Sequence, residues 1–359
     1  MDPKEKEKDI EKLVSNDFNK QNVINHCFST GGLLHNQARK VLWPKMFDIK
    51  LNQDFELIQD DIIKSHKDYN QVLLDVNRMK SLVSPSTTDD EYEVIKQNVT
   101  SIVMNVLAKN KSLHYYQGFH DICYIFYLVL GTKLSIQLMD RLVEIKFKKF
   151  MEENMDSTAE YLNIIYVLLK YVNPALLFKI EEIGVESTFA ISWVITWFTH
   201  VLQDITDIIR LYDIFLADES SLICIYSCVA IMMISITDFR DDLTDFDEIF
   251  VCLTQMPKKC SVESIVRETL KLYQRIPPQK LKSDSDFHLK YFLRNQKNSK
   301  IAQIVRRRIT YAGRFGYYIY RYNLSEHVEN VSKHPYMVAF GLGVICVTVP
   351  FLKSYISGF

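Results

Sequence analysis

The stretch from His114 to Asp121, HYYQGFHD, holds the residues best suited to chemistry in this sequence. It precedes the apolar run ICYIFYLVLG (122–131), so its polar and small residues collect at the N-terminus of a helix too apolar to be exposed. Gln117 is uncharged and both donates and accepts hydrogen bonds, which suits the positioning of a water molecule. Gly118 lets backbone or a ligand approach closely. The alternative is a cluster that only caps the helix.

A second stretch, QVLLDVNR (71–78), places Asp75 and Arg78 three residues apart. On a helix this spacing puts both side chains on one face, where the carboxylate can brace the guanidinium. The apolar residues Val72, Leu73 and Val76 would hold the other side in the core. The alternative is an ordinary surface salt bridge, which contributes little.

A third stretch, NQARKVLWP (36–44), carries Arg39 and Trp43 one helical turn apart. Pro44 follows the tryptophan, and we expect it to end the helix. A tryptophan at a helix end usually belongs to the core, and Arg39 would then only cover its ring. By itself this stretch does not predict a function.

Several other classes of site lack their motifs. The sequence contains no Walker A sequence, GxGxxG, GxSxG or HExxH. Its seven cysteines are scattered without CxxC or zinc-type spacing, so no metal site is expected. Lys plus Arg (43) nearly cancels Asp plus Glu (44), so the overall charge does not favour nucleic acid as a partner.

The elements that must position these residues are helices. Ten glycines and nine prolines are few for 359 residues, and long stretches carry helical periodicity without a useful strand pattern. We therefore predict an all-α domain over residues 21–281, preceded by a charged, disordered lead-in over residues 1–20. This domain would hold all three polar stretches.

Two apolar runs inside this domain, residues 187–203 and 220–237, could be taken for membrane spans, which would make a multi-span membrane protein. Both contain several Ser or Thr residues and have acidic residues close to their ends. A helix that is apolar on all sides is simply central in a large α-fold, so we predict core helices instead. Trp193, Trp197 and His200 of the first run either shape the core or line a groove, and we favour the core.

Taken in order, the stretches read RxxxW, hydrophobic-xxDxxR and YxQG, and this ordered set resembles the TBC-domain Rab GTPase-activating proteins. The resemblance covers about residues 28–280. YYQGFHDI, ISWVITWFTHVL (191–202) and RLYDIFLA (210–217) are similar to the ER-anchored branch of that family. The resemblance implies a multi-helix TBC domain whose partner is a GTP-bound Rab GTPase.

In that family the activator inserts an arginine and a glutamine into the active site of the GTPase, and motif matching makes these Arg78 and Gln117. Arg78 would contact the β- and γ-phosphate oxygens, where a lysine would not reproduce the geometry. Gln117 would orient the attacking water. Asp75 would hold Arg78 in its productive rotamer. The supporting residues that the resemblance implies are Asp75, Gly118, Tyr115, Arg39 and Trp43, the last two under the floor of the site.

The resemblance also implies that this chain has no cofactor of its own, because GTP and Mg²⁺ arrive with the Rab. Such a protein is a GTPase activator that completes the active site of its partner rather than a free-standing enzyme. The branch favours an early-secretory Rab of ER-to-Golgi traffic. The alternative is a catalytically silent, tail-anchored Rab-binding adaptor or tether.

A C-terminal membrane anchor is predicted from residues 335–352. Residues 336–352 carry no charge, and seventeen residues of helix span about 25 Å, which suits a thin ER-type bilayer. We predict a single-pass tail-anchored protein of the ER or early secretory membrane, with a cytosolic N-terminal domain and a short lumenal tail over residues 353–359. The alternative is a buried C-terminal core helix.

Residues 282–334 are predicted to connect the globular domain to this anchor. Within them, residues 304–322 combine five arginines with six aromatic residues. Basic residues on the cytosolic side follow the positive-inside rule, and tyrosine favours the membrane interface. An interfacial helix and a solvated helix packed on the main domain are equally compatible with this composition.

Overall fold

The computed structural model describes residues 2–15, 17–51, 55–238 and 245–285. The chain divides into two units, Met1–Gln279 and Lys280–Phe359. The described part of the second unit, residues 280–285, is helical. The predicted connector beyond residue 285, the membrane anchor and the lumenal tail lie outside the described residues.

The prediction of an all-α fold is confirmed, because the described residues contain helices and turns but no strand. Pro3–Ser15, Lys20–Phe28, Asn36–Met46, Asp60–Lys64 and Tyr69–Val76 form α1 to α5. Asp89–Lys109, Phe119–Leu130 and Thr132–Leu142 form α6 to α8, and Asp156–Val172, Pro174–Ile183 and Ile191–Ile195 form α9 to α11. Ile205–Ala217, Ile223–Ile234, Phe246–Gln255 and Val262–Arg275 form α12 to α15.

The expected disordered lead-in over residues 1–20 is wrong for its first part. Residues 3–15 form α1, which packs against α2 and α3 and buries Ile10 and Leu13 completely or nearly so. Lys6 lies on the same side and donates hydrogen bonds to Ser29 Oγ and the carbonyl of Thr30. Two apolar residues three positions apart are enough to dock a helix whose other positions are mostly charged.

Helix α3 continues two residues past Pro44 and ends at Met46, so the proline does not end it. Proline lacks the N–H that would bond one turn back, but the two residues after it still adopt helical geometry. The extension has little effect on Trp43, which lies fully buried on the inner side of α3.

The two apolar runs fold as the core interpretation requires. The first run forms a short 3-10 turn, the five-residue helix α11 and an irregular turn, while the second contains the twelve-residue helix α13. Trp193 and Trp197 are buried, as predicted, but His200 is exposed at the end of the turn. No helix in the described ranges has both the length and the apolar composition that a bilayer crossing needs.

An aromatic cluster joins the helices that surround the polar stretches. Trp43 of α3 packs edge-on against Phe126 of α7, with ring centroids 5.7 Å apart. Phe126 contacts Tyr212 of α12, and Tyr212 in turn packs edge-on against Trp197 at 5.2 Å. Aromatic pairs in this geometry stabilise a core beyond their buried area. The cluster therefore fixes α7 against α3, α12 and the turn after α11.

Candidate functional site

Arg78 lies just beyond the end of α5, where the chain leaves the helix. Its N–H donates to the carbonyl of Asp75 (2.9 Å), and its backbone has φ −97° and ψ −4°. Val76 and Met79 on either side are buried, which fixes the backbone of this segment. The Arg78 side chain is exposed, and no hydrogen bond or ion pair involves it within the described part of the chain. Its guanidinium is available to another molecule.

Asp75 does not brace Arg78 directly, contrary to the expectation from their spacing. Its carboxylate is 1% exposed, and Oδ1 accepts a hydrogen bond from Nε2 of Gln71 at 3.1 Å. Burial raises the pKa of Asp75, and the Arg78 charge opposes this only as a minor influence. The three-residue rule assumes a continuous helix, but α5 ends at Val76, so Asp75 points into the protein and Arg78 points out.

The second oxygen of Asp75, Oδ2, is buried without a hydrogen-bond partner among the described residues. A buried carboxylate oxygen in this position is costly unless a donor can reach it. The hydroxyl of Tyr115 lies close enough to lower the pKa of Asp75, while burial and then the Asp75 charge raise the pKa of Tyr115. The structure thus brings these two predicted supporting residues together.

Gln117 and Gly118 form the turn that leads into α7. Gln117 is half-buried, and its side chain makes no hydrogen bond to the described residues. Gly118 is the N-cap with φ +103°, a backbone conformation that residues with a Cβ rarely adopt. A Cβ at this position would also lie 2.7 Å from Cγ2 of Thr196. The close approach that Gly118 permits is therefore to the turn after α11.

Tyr115 connects the Gln117 segment to α5 at both ends of that helix. Its N–H donates to Oδ2 of Asp68, the residue just before α5 (3.2 Å), and its side chain reaches toward Asp75 in the last turn. Those two positions are seven residues apart, or about 10 Å along a helix. The neighbouring pair of Lys67 and His114 adds a second contact at 3.1 Å. The segments that carry Arg78 and Gln117 are thus joined through Tyr115.

A buried polar group continues from Tyr115 into α7. The Tyr115 hydroxyl lies 2.7 Å from Nδ1 of His120, and Nε2 of His120 lies 3.0 Å from Oδ1 of Asp121. Oδ2 of Asp121 lies 3.5 Å from Nδ1 of His200, whose side chain is 41% exposed. His200 therefore lies at the edge of a polar site. The core position that the sequence favoured is wrong for this residue.

Charge pairing sets the protonation of this group. Burial raises the pKa of Asp121, but the charges and hydrogen bonds of His120 and His200 together outweigh it and hold the pKa well below its usual range. Burial lowers the pKa of His120, but the Asp121 charge, their hydrogen bond and the Asp75 charge together raise it above its ordinary value. An imidazolium–carboxylate pair is therefore favoured behind Gln117.

Arg39 and Trp43 lie in a separate buried cluster around Asp213 of α12. Arg39 donates to both carboxylate oxygens of Asp213, at 3.0 and 2.9 Å, and the Trp43 indole N–H donates at 2.9 Å. The backbone N–H of Leu33 is a further donor at 3.1 Å. Both predicted residues are thus buried and structural. The aromatic contact of Trp43 with Phe126 packs this cluster against α7. Their place under the floor of the site stays a prediction.

The segment RLYDIFLA (210–217) contains charged residues whose roles the three ordered motifs do not predict. Arg210 and Asp213 are three residues apart in an otherwise apolar helix, and this pattern is the signal that could have identified a buried ion pair. Arg210 bonds to Glu263 at 2.7 Å and to two carbonyls near α2. The roles of Asp68 and Thr196 carried no comparable signal, because both depend on contacts between distant segments.

The fold and this arrangement of polar residues define a family. A model of the Rab-GTPase-TBC domain matches residues 36–239, which include Arg78, Gln117 and Asp213. This chain therefore belongs to the Rab-GTPase-TBC domain family, and the resemblance carried by the three ordered stretches is confirmed.

Curated relatives agree with this assignment. The chain is 34% identical over 255 residues to TBC1 domain family member 20 of Bos taurus, and the human protein of that name has the same identity. This match covers 71% of the chain and 63% of the length of the relative. GTPase-activating protein gyp10 of Schizosaccharomyces pombe is 27% identical over 267 residues, covering 73% of the chain and 71% of that protein.

Two solved structures share the fold. The Ypt/Rab-GAP domain of Gyp1p aligns with a TM-score of 0.58 at 13% identity, covering 74% of this chain and 97% of that domain. The Chlamydomonas flagellar RabGAP TBC domain aligns with a TM-score of 0.55, also at 13% identity, covering 74% of the chain and 94% of that domain. At this identity the similarity establishes the helical architecture.

Proposed function

We propose that this chain accelerates GTP hydrolysis by a Rab GTPase, with Arg78 and Gln117 acting in trans as the arginine and glutamine fingers. The observation that carries the proposal is that neither side chain has a partner among the described residues, although the two backbone segments that bear them are joined through Tyr115. Side chains without internal partners on a fixed backbone are suited to completing another protein's active site.

The chemistry of GTP hydrolysis calls for these two residue types. The rate is limited by the position of the attacking water and by the charge that develops on the transferring phosphoryl group. A guanidinium binds phosphate oxygens in a planar fork, and an arginine supplied in trans contributes about 10³–10⁵-fold to the rate. A glutamine side chain can accept from the water and donate at the same time. GTP and Mg²⁺ would be carried by the Rab, so this chain needs no cofactor of its own.

We also propose that the partner is an early-secretory Rab, because the sequence resembles the ER-anchored branch of the family. On the same ground we propose that the protein is located at an ER or early secretory membrane, held there by a C-terminal anchor over residues 335–352.

The experiment is single-turnover GTP hydrolysis by a panel of GTP-loaded Rabs, including early-secretory members, with the full chain in excess. We expect Arg78→Ala and Gln117→Ala to lower the accelerated rate by orders of magnitude, and Arg78→Lys to recover little of it. Arg141→Ala and Gln97→Ala, which remove exposed residues of the same types on α8 and α6, are the matched controls. They should retain the wild-type rate.

A binding measurement separates the two functional interpretations. Rab loaded with a non-hydrolysable GTP analogue should bind the wild type and Gln117→Ala. Binding without acceleration of hydrolysis by any Rab would reject the activator proposal and favour the silent adaptor. Acceleration that Arg78→Ala and Gln117→Ala leave unchanged would reject the assignment of these two residues.

A further inference from the structure

A line of buried polar groups runs behind the two proposed fingers. It begins at Asp75, three residues before Arg78, and continues through the Tyr115 hydroxyl to His120, three residues after Gln117. From His120 it continues through Asp121 to His200 at the surface. Asp75, Tyr115, His120 and Asp121 are all less than 8% exposed. The line therefore joins three separate segments of the chain in the interior.

The protonation of His120 decides the direction of the hydrogen bonds in this line. In a neutral ring whose Nε2–H donates to Asp121, Nδ1 can only accept, so the Tyr115 hydroxyl donates to His120 and has no proton left for Asp75. In the imidazolium, Nδ1 donates to Tyr115 as well. The hydroxyl proton is then released toward Asp75, whose Oδ2 lacks a partner among the described residues.

We propose that His120 is a positioning residue: when protonated, it turns the Tyr115 hydroxyl toward Asp75 and so fixes the Arg78 segment relative to the Gln117 segment. Its role in catalysis rests on the proposed function, but the coupling between Asp75 and His120 does not. Both carbonyl and side chain of Asp75 are then occupied, since its carbonyl already accepts from the N–H of Arg78.

The charged and titratable groups around His120 favour the protonated form. The Asp121 and Asp75 charges raise its pKa against the effect of burial. Other titratable groups of this region act through these two carboxylates or through Tyr115, and they include Arg78, Tyr116, Cys123, His200 and Tyr212. Asp75 is influenced by two cations, protonated His120 within the buried line and Arg78 outside it. We therefore expect the linked arrangement at neutral pH and its loss as the pH rises through the raised pKa of His120.

The coupling is tested without any GTPase by titrating the full chain, labelled with ¹³C in its histidine rings, by NMR. His120→Gln assigns the His120 resonance. We expect Asp75→Asn and Tyr115→Phe each to lower the pKa of His120, because one removes a negative charge and the other removes the acceptor for the Nδ1 proton. Asp140→Asn, which removes a surface carboxylate paired with Lys109, should leave it unchanged. A His120 pKa that neither Asp75→Asn nor Tyr115→Phe alters overturns the coupling.

The positioning role is tested by single-turnover hydrolysis at saturating concentrations of the full chain. Small displacements of catalytic groups reduce rates by up to about a hundredfold, so we expect His120→Phe to lower the maximal rate by about ten- to a hundredfold with the half-saturating concentration unchanged. His120→Gln should abolish the decline of the wild-type rate with rising pH. Tyr226→Phe, which removes a buried hydroxyl bonded to the carbonyl of Ile276, is the matched control for the Tyr115→Phe variant of the titration.

The two measurements distinguish failure of the inference from failure of the proposed function. A wild type that accelerates hydrolysis while His120→Phe has the same maximal rate and pH profile overturns the positioning role. A wild type that accelerates no Rab rejects the proposed function, and the titration then decides the coupling alone. In the Arg78→Ala background, His120→Phe should cause a smaller fold-loss than in the wild type, and an equal fold-loss would contradict action through the Arg78 segment.

Discussion

Replacing Gly118 by alanine tests how the entry to α7 is built. A non-glycine residue in the left-handed region costs about 1–2 kcal/mol. Forcing the new methyl against Cγ2 of Thr196, 2.7 Å from its ideal position, adds an overpacking cost of about 1–3 kcal/mol. Alanine also reduces the entropy of the unfolded chain, which offsets about 0.4–1 kcal/mol. We expect Gly118→Ala to lower the free energy of unfolding by about 3 kcal/mol, the sum of these ranges at their centres.

Gly184 provides the matched control, because it also has a positive φ (+78°) but no atom lies within 4 Å of the position of its Cβ. Gly184→Ala should therefore cost only the backbone strain less the entropy gain, about 1 kcal/mol. Thr196→Ser removes the opposing methyl while keeping the hydroxyl that donates to the Ser192 carbonyl. In that background the cost of Gly118→Ala should fall by about 1–3 kcal/mol.

Urea denaturation monitored by circular dichroism gives the free energies of unfolding of the wild type, the three single variants and the Gly118→Ala/Thr196→Ser double variant. The reasoning is refuted by a Gly118→Ala cost no larger than that of Gly184→Ala. It is equally refuted by a cost that Thr196→Ser leaves unchanged, because the steric contribution depends on that one methyl. Agreement would show that glycine is required here by the packing of α7 against the turn after α11, independently of any ligand.

Three further outcomes are expected. Asp213→Ala should lower the free energy of unfolding by about 3–5 kcal/mol in urea denaturation, because it leaves the buried Arg39 guanidinium without its carboxylate; a loss below about 1 kcal/mol would contradict the ion-pair account. The depressed pKa of Asp121 stabilises the fold above the unfolded pKa of about 4, and this stabilisation is lost as the pH falls toward the folded pKa. Asp121→Asn should therefore weaken the decrease of the free energy of unfolding at acid pH. An unchanged decrease would argue against the pairing of Asp121 with His120 and His200. Ile10→Ala should cost about 2–5 kcal/mol in urea denaturation, whereas the exposed Lys12→Ala should cost almost nothing; equal effects would mean that α1 does not dock.

The sequence was sufficient for the helical class and for the location of the three polar stretches, because helical periodicity and residue spacing are local properties. It also favoured the burial of Trp193 and Trp197, which lie in a mostly apolar run and are buried in the structure. It failed for α1, where only Ile10 and Leu13 signal a docked face among charged residues. Two apolar residues are too weak a local signal to predict that a helix this polar packs against other helices.

The contacts within the candidate site were less predictable than the residues themselves. The Asp75–Arg78 brace was inferred from a regular helix, and the end of α5 at Val76 removes it. For His200 the core was favoured over a groove, but its ring turns toward Asp121, which lies 79 positions earlier in the chain. Sequence spacing specifies neighbours along one helix, whereas these outcomes depend on where a helix ends and which distant segment it meets.

The position of Asp213 has a consequence for synthesis on the ribosome. Its hydrogen-bond donors on Arg39 and Trp43 precede it by 174 and 170 residues. At about 5–20 residues per second, α3 must wait roughly ten to thirty seconds after emerging before this carboxylate is made. During that interval the Arg39 guanidinium stays hydrated, because burying it without its carboxylate would be unfavourable. The N-terminal helices therefore cannot complete their folding while the chain is still growing through α7, and the domain consolidates only once α12 has left the exit tunnel.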